Sequence, residues 1–134
     1  MRPIGAHHVA IKARDVERVA GFYRDLLGLA EKRRNYYSES DRLRSVWLAC
    51  EPVVLMIEQA EADGEAEEPA SAPRWDAPDR PGLHLLALRI RAQDAPRWRE
   101  HLGAHGHPVV HATAHTLYVL DPEGNRVGLS SLSF

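Results

Sequence analysis

The alternation of apolar and polar positions divides the chain into two similar halves. Residues 7–13 alternate, with Val9, Ile11 and Ala13 on one side and His8, Ala10 and Lys12 on the other, the pattern of a half-buried strand. Asp15 then offers a side-chain cap to a helical stripe of Val16, Val19, Ala20, Tyr23, Leu26 and Leu27. Gly28 supplies the left-handed stop, so a helix is predicted over 16–27. Residues 29–38 read as an exposed strand with an Asn-Tyr-Tyr run. Residues 43–49 and 53–57 read as two apolar strands joined around Glu51-Pro52. The first half is therefore β-α-β-β-β.

The pattern restarts at Gly82. Gly5-Ala-His-His-Val-Ala-Ile-Lys12 and Gly82-Leu-His-Leu-Leu-Ala-Leu-Arg89 share glycine, histidine, apolar residues, alanine and a terminal base in one register. Asp94 is placed to cap a second helix that carries Pro96 in its first turn, where a missing N–H costs little. Ala95, Trp98, Leu102 and His105 form its predicted inner stripe, Gly106 ends it, and Pro108 prevents its resumption. Strands are predicted over 109–112, 116–120 and 126–131. The last two are joined by Asp121-Pro-Glu-Gly-Asn125, in which Pro122 presets φ and Gly124 and Asn125 tolerate positive φ. A second β-α-β-β-β block results, and a repeat of whole supersecondary units is a strong organisational signal. Residues 59–81 between the blocks are rich in Glu, Asp, Ala and Pro, lack apolar periodicity, and read as a linker that Trp75 pins to the body.

Composition narrows the function classes. The 134 residues suit one domain, with module one at about 5–58 and module two at about 82–131. A net charge of −2 and 7% aromatic residues give no basis for nucleic-acid binding. No apolar run is long enough for a bilayer, and the N-terminus has no signal-peptide core. Cys50 is the one cysteine, beside Glu51 and with no basic neighbour, so it reads as an inert thiol in a reducing cytoplasm. Glycine-rich phosphate loops, G-x-S-x-G and H-E-x-x-H are absent.

Three features together carry a resemblance: the repeat, Phe22-Tyr-Arg-Asp-Leu-Leu-Gly-Leu29, and Asp121-Pro-Glu-Gly-Asn125. In that order they resemble the vicinal oxygen chelate superfamily of glyoxalases, bleomycin-resistance proteins, fosfomycin-resistance enzymes and extradiol dioxygenases. The resemblance covers essentially the whole chain. It implies an α+β fold of two βαβββ modules in tandem, whose cupped mixed sheets surround a central cavity. It also implies a divalent-metal site built from the first and last strand of each module. Those positions here hold His8, Met56, Leu85 and Gly128. Only His8 matches the family pattern, because Leu, Met and Gly supply no hard donor.

The expected function is therefore binding of a small organic molecule in the inter-sheet cavity, with a depleted metal site. The predicted pocket comprises His8, Ala10, Met56, Leu85, Ala87, Arg89, Tyr118 and Gly128, a mostly apolar lining with few polar groups. No cofactor is expected. The alternative is a metal-dependent lyase, isomerase or dioxygenase in which a divalent transition metal is held by His8 with His84, His111 or His115. A one-residue register shift would be needed to turn His84 inward. His-rich composition is a metal cue, but His101, His105 and His107 sit where a helix C-terminus favours histidine anyway. A third reading is metal-free acid–base catalysis by His8 and Tyr118, since His115-Thr-Leu-Tyr118 resembles a ligand-proximal strand of some family members. The resemblance further implies a homodimer, with the long linker permitting exchange of modules between chains.

Overall fold

A computed structural model of the chain describes residues 1–60 and 82–134. The linker expected over 59–81, residues 59 and 60 apart, and the anchoring role of Trp75 lie outside the described residues. The chain divides into two compact units, Met1–Glu65 and Ala66–Phe134. Among the described residues no helix is long and apolar enough to cross a membrane.

In the first unit β1 (His8–Ala13) is followed by α1 (Val16–Gly21), β2 (Glu31–Tyr36), β3 (Leu43–Cys50) and β4 (Val53–Gln59). The sheet order is β1-β4-β3-β2, with β1 parallel to β4 and the other neighbours antiparallel. The second unit contains β5 (Leu86–Arg89), α2 (Ala95–Ala104), β6 (His111–Ala112), β7 (Thr116–Leu120) and β8 (Arg126–Ser130). Its order is β5-β8-β7-β6, again with the outer parallel pair. A parallel pair needs a long crossover, and here the helix and the two intervening strands supply it. The fold is thus α+β, built from tandem βαβββ modules.

Alternation sends one side of each sheet inward. Val46, Leu48, Leu55 and Ile57 are completely buried, as are Val19, Ala20 and Tyr23 of the adjoining helical segment. In the second unit Leu117, Val119, Val127 and Leu129 are buried, and α2 contributes Leu102. Asp15 caps α1 as expected, accepting the Arg18 N–H at 3.0 Å. The helix does not continue as α to residue 27. Phe22–Leu26 is a π-helical turn, closed by the Leu27 N–H donating to Phe22 O at 3.1 Å. The wider turn buries Phe22 beside Tyr23, their rings edge to face at 5.1 Å, and leaves Leu26 only half-buried. Gly28, at φ +79°, ends the segment where its missing Cβ makes that conformation cheap.

The second helix departs from expectation at both ends. Asp94 has helical dihedrals and makes no side-chain cap, because a 3-10 turn at Ala92–Asp94 already leads into α2. His105 is exposed rather than part of the inner stripe, its ring donating from Nδ1 to His101 O at 2.8 Å. Strand β6 spans only His111–Ala112 of the expected 109–112.

A five-member charge cluster joins α1 to β2. Arg34 reaches Glu17 at 2.7 Å and Glu31 at 2.7 Å, while Arg24 reaches Glu17, Glu31 and Asp25. The Arg34 hydrogen bond is the main influence holding the Glu17 and Glu31 carboxyls below their ordinary value of 4.5. A depressed carboxylate value means that the contribution is complete above the unfolded value and is lost as pH falls through the folded one. The denaturation midpoint should therefore stay level near neutrality and drop below about pH 4.5, with a shallower acid drop in Glu17→Gln. Identical acid profiles for the two proteins would remove the cluster from the stability account.

Candidate functional site

Strand alternation gives each sheet a second, open face, and the register shows which residues share it. In the first unit Ala10 pairs with Met56, Met56 with Trp47, and Trp47 with Arg33. His8 lies two residues before Ala10 on the same side and pairs with Val54. Lys12, Glu58, Ser45 and Asn35 form the next row. His8 and Ala10 are exposed, whereas Met56 and Trp47 are half-buried. Arg33 lies over the Trp47 ring at 5.3 Å. Trp47 Nε1 is sealed from solvent and has no hydrogen-bond partner among the described residues.

The second unit repeats the arrangement. Ala87 pairs with Gly128, Gly128 with Tyr118, and Tyr118 with His111. The His111 and Tyr118 rings lie 5.5 Å apart. Arg89 is exposed at the next row, beside Ser130, whose Oγ is 2.8 Å from Thr116 Oγ1. Leu85 precedes β5 and borders the same ground. A Cβ on Gly128 would stand 3.5 Å from Leu85 Cδ1, 3.5 Å from Ala87 Cβ and 3.3 Å from Thr116 Cγ2. Gly128 is buried, and such a Cβ would be in ordinary contact with Leu85 and Ala87 and slightly tight against the Thr116 methyl.

Within the first unit the structure brings together His8, Ala10 and Met56. Within the second it brings together Leu85, Ala87, Arg89, Tyr118 and Gly128. His84 takes a different course: it is exposed, and Arg126 Nη1 donates to its Nδ1 at 3.2 Å. His115 is exposed at the entry to β7, and its backbone oxygen accepts from the Ser131 N–H at 2.9 Å. His107 donates from Nδ1 to Leu120 O at 3.1 Å, and the His101 ring lies edge to face with Trp98 and tilted against His105. Among the described residues no three His, Cys, Asp or Glu side chains gather at metal-binding separation. Burial, with Glu51 adding to it, pushes the Cys50 thiol above its usual range and away from the nucleophilic thiolate.

Sequence reasoning missed Trp47, Arg33, Asn35 and Ser45. Their signal was alternation within β2 and β3 on the parity of Met56. Using it requires the β2–β3 register, which shifts twice, between Glu31 and Arg33 and between Asn35 and Tyr36.

His8 is exposed, and its Nδ1 lies 2.9 Å from Nδ1 of the neighbouring His7. His8→Ala should therefore leave the unfolding free energy within about 0.5 kcal/mol of the parent in chemical denaturation. A loss of several kcal/mol would make His8 a structural hub.

The glyoxalase/bleomycin resistance protein/dioxygenase superfamily model matches residues 5–129. No significant match occurs among curated proteins. Solved structures with the same architecture include the fosfomycin resistance protein FosX from Mesorhizobium loti, at 18% identity and TM-score 0.71, with 99% of this chain and 95% of that one covered. FosX from Listeria monocytogenes superposes at TM-score 0.74 with 10% identity, over 99% and 94% of the two chains. Lactoylglutathione lyase from Agrobacterium tumefaciens superposes at TM-score 0.63 with 19% identity, over 97% and 95%. At these identities the likeness is one of fold.

Proposed function

Because the chain belongs to the glyoxalase/bleomycin resistance protein/dioxygenase superfamily, we propose that it binds a small organic molecule on the open faces of its sheets, at a site that has lost its metal. The observation that carries this reading is the donor chemistry of His8, Met56, Leu85 and Gly128, of which Gly128 has no side chain. A carboxylate there would have to grow from a Cβ already touching Thr116, Ala87 and Leu85. Leu85 adds only hydrocarbon at the neighbouring position, and Met56 offers a soft thioether to a site that elsewhere uses hard donors. His8 alone keeps a suitable nitrogen, against the three protein ligands that catalytic divalent sites ordinarily use. The residues present do not fit the metal, and no chemical step is assigned through one. FosX from Listeria monocytogenes, 12% identical in sequence, was crystallised in complex with Mn(II) and sulfate ion.

The alternative donors support the same reading. A cation at His84 would face the Arg126 guanidinium, and His111 already packs against Tyr118. What remains is Ala10, Met56 and Trp47 on the open face of the first unit and Ala87 and Tyr118 on that of the second, each a patch with few polar groups and suited to contact with a mainly apolar molecule. The activity is then binding itself, by which a compound is sequestered. In this reading the protein works as a homodimer in the cytoplasm, where Cys50 needs no disulfide partner.

The test is thermal denaturation against a panel of small organic molecules in the presence of EDTA. A binder at about 100 times its Kd should stabilise the fold by about 2.7 kcal/mol. It should also quench Trp47 fluorescence, assigned by comparison with Trp47→Phe. Binding that EDTA abolishes and a transition metal restores would overturn the proposal.

A further inference from the structure

One end of the first sheet's open face is a groove of about 680 Å³, within the size range of small-molecule sites. Its polar lining includes Lys12, Arg33, Asn35, Arg44, Ser45 and Glu58. The register places Lys12, Glu58, Ser45 and Asn35 in one row across all four strands. Asn35 Nδ2 donates to Ser45 Oγ at 2.9 Å, and Ser45 is only 3% exposed, so that pair is held rigidly and the Ser45 hydroxyl keeps its own hydrogen to donate.

The charges are not balanced. Lys12 Nζ is 3.3 Å from Glu58, which neutralises one base. Arg34 also borders the groove, but Glu17 and Glu31 hold it. Arg33 rests on Trp47, and Arg44 falls at the β2–β3 register shift, where a strand irregularity re-aims a side chain. Neither has a carboxylate within ion-pair distance among the described residues. Two uncompensated guanidiniums beside two fixed donors therefore sit in a chain whose net charge is −2. Guanidiniums meet carboxylate and phosphate oxygens in paired hydrogen bonds, which neutral ligands cannot offer equally.

We infer that this groove is an organic-anion subsite: Arg33 and Arg44 bind the carboxylate or phosphate of the ligand, Asn35 and Ser45 orient it, and its apolar part extends toward Met56 and Trp47. The inference rests on the reading of the open face as ligand-binding and gives that ligand its charge. Both classes of anion share the required oxygen geometry, and the probes separate them.

Calorimetric titrations in EDTA with benzoate, phenyl phosphate and neutral benzamide test it, using the parent protein and an Arg33→Gln/Arg44→Gln variant. At least one anion should bind saturably and more tightly than benzamide, with affinity falling as salt rises. The variant should lose roughly tenfold or more of that affinity while its affinity for benzamide changes far less and its circular dichroism stays that of the folded parent. Stronger phenyl phosphate binding would identify a phosphate ligand, and stronger benzoate binding a carboxylate; either result supports the subsite. Equal affinity for benzamide and the anions, or anion affinity unchanged in the variant, would overturn the subsite while leaving metal-free binding intact. Anion binding that appears only when metal replaces EDTA would instead overturn the proposed function.

Discussion

Tyr23→Ala is expected to cost about 3–5 kcal/mol, the usual range for removing a large aromatic side chain from a packed interior. Tyr23 is completely buried in the π-helical turn, edge to face with Phe22. A packed interior relaxes only partly around such a deletion, so a cavity would remain. Chemical denaturation should show the loss as a lower midpoint with little change in slope. A loss below about 1.5 kcal/mol would mean that the turn relaxes to ordinary helix and refills the space.

Asp121→Ala should be the next most damaging change, at about 3 kcal/mol, because it strips the anchor from the last hairpin. Asp121 is 4% exposed. Its Oδ1 accepts the backbone N–H groups of Glu123 and Asn125, both at 2.9 Å, and its Oδ2 accepts Asn125 Nδ2 at 2.8 Å. Alanine leaves these donors without that acceptor in a partly buried turn, and bonds to a charged acceptor are worth more than neutral ones. Asp121→Asn should recover more than half of the loss, since its amide oxygen can still take both backbone donors. Equal losses in the two variants would show that charge, not turn geometry, is what matters.

Both predictions concern residues that made the family legible, and both residues are structural. Phe22, Tyr23 and Gly28 shape a buried helix end, while Asp121, Gly124 and Asn125 tie a turn in which Gly124 takes φ +84°. Local chemistry of this kind can be read from sequence because its partners are near in the chain. The tandem modules were legible for the same reason, since strand alternation and helix stops recur at matching places. The π-helical turn was not, because the apolar spacing of Val16 to Leu27 fits an α-helix equally well and only packing against the sheet decides it. Asp94 failed as a cap because a preceding 3-10 turn had already made it helical. The groove around Arg33 and Arg44 was invisible because two register shifts in β2–β3 determine which side chains meet there. The positions at which the resemblance implies a metal were read from the repeat, whereas the contacts at Gly128 depend on Thr116 and Leu85, which only the folded sheet brings beside it.

The central claim is that these open faces bind a ligand without a metal, and metal titration tests it most directly. Protein purified without a histidine tag and dialysed should retain a substoichiometric amount of transition metal. Added Mn(II), Fe(II), Ni(II) or Zn(II) should give no saturable heat and no rise in melting temperature. One transition metal per chain that survives dialysis and is lost in His8→Ala would contradict the account.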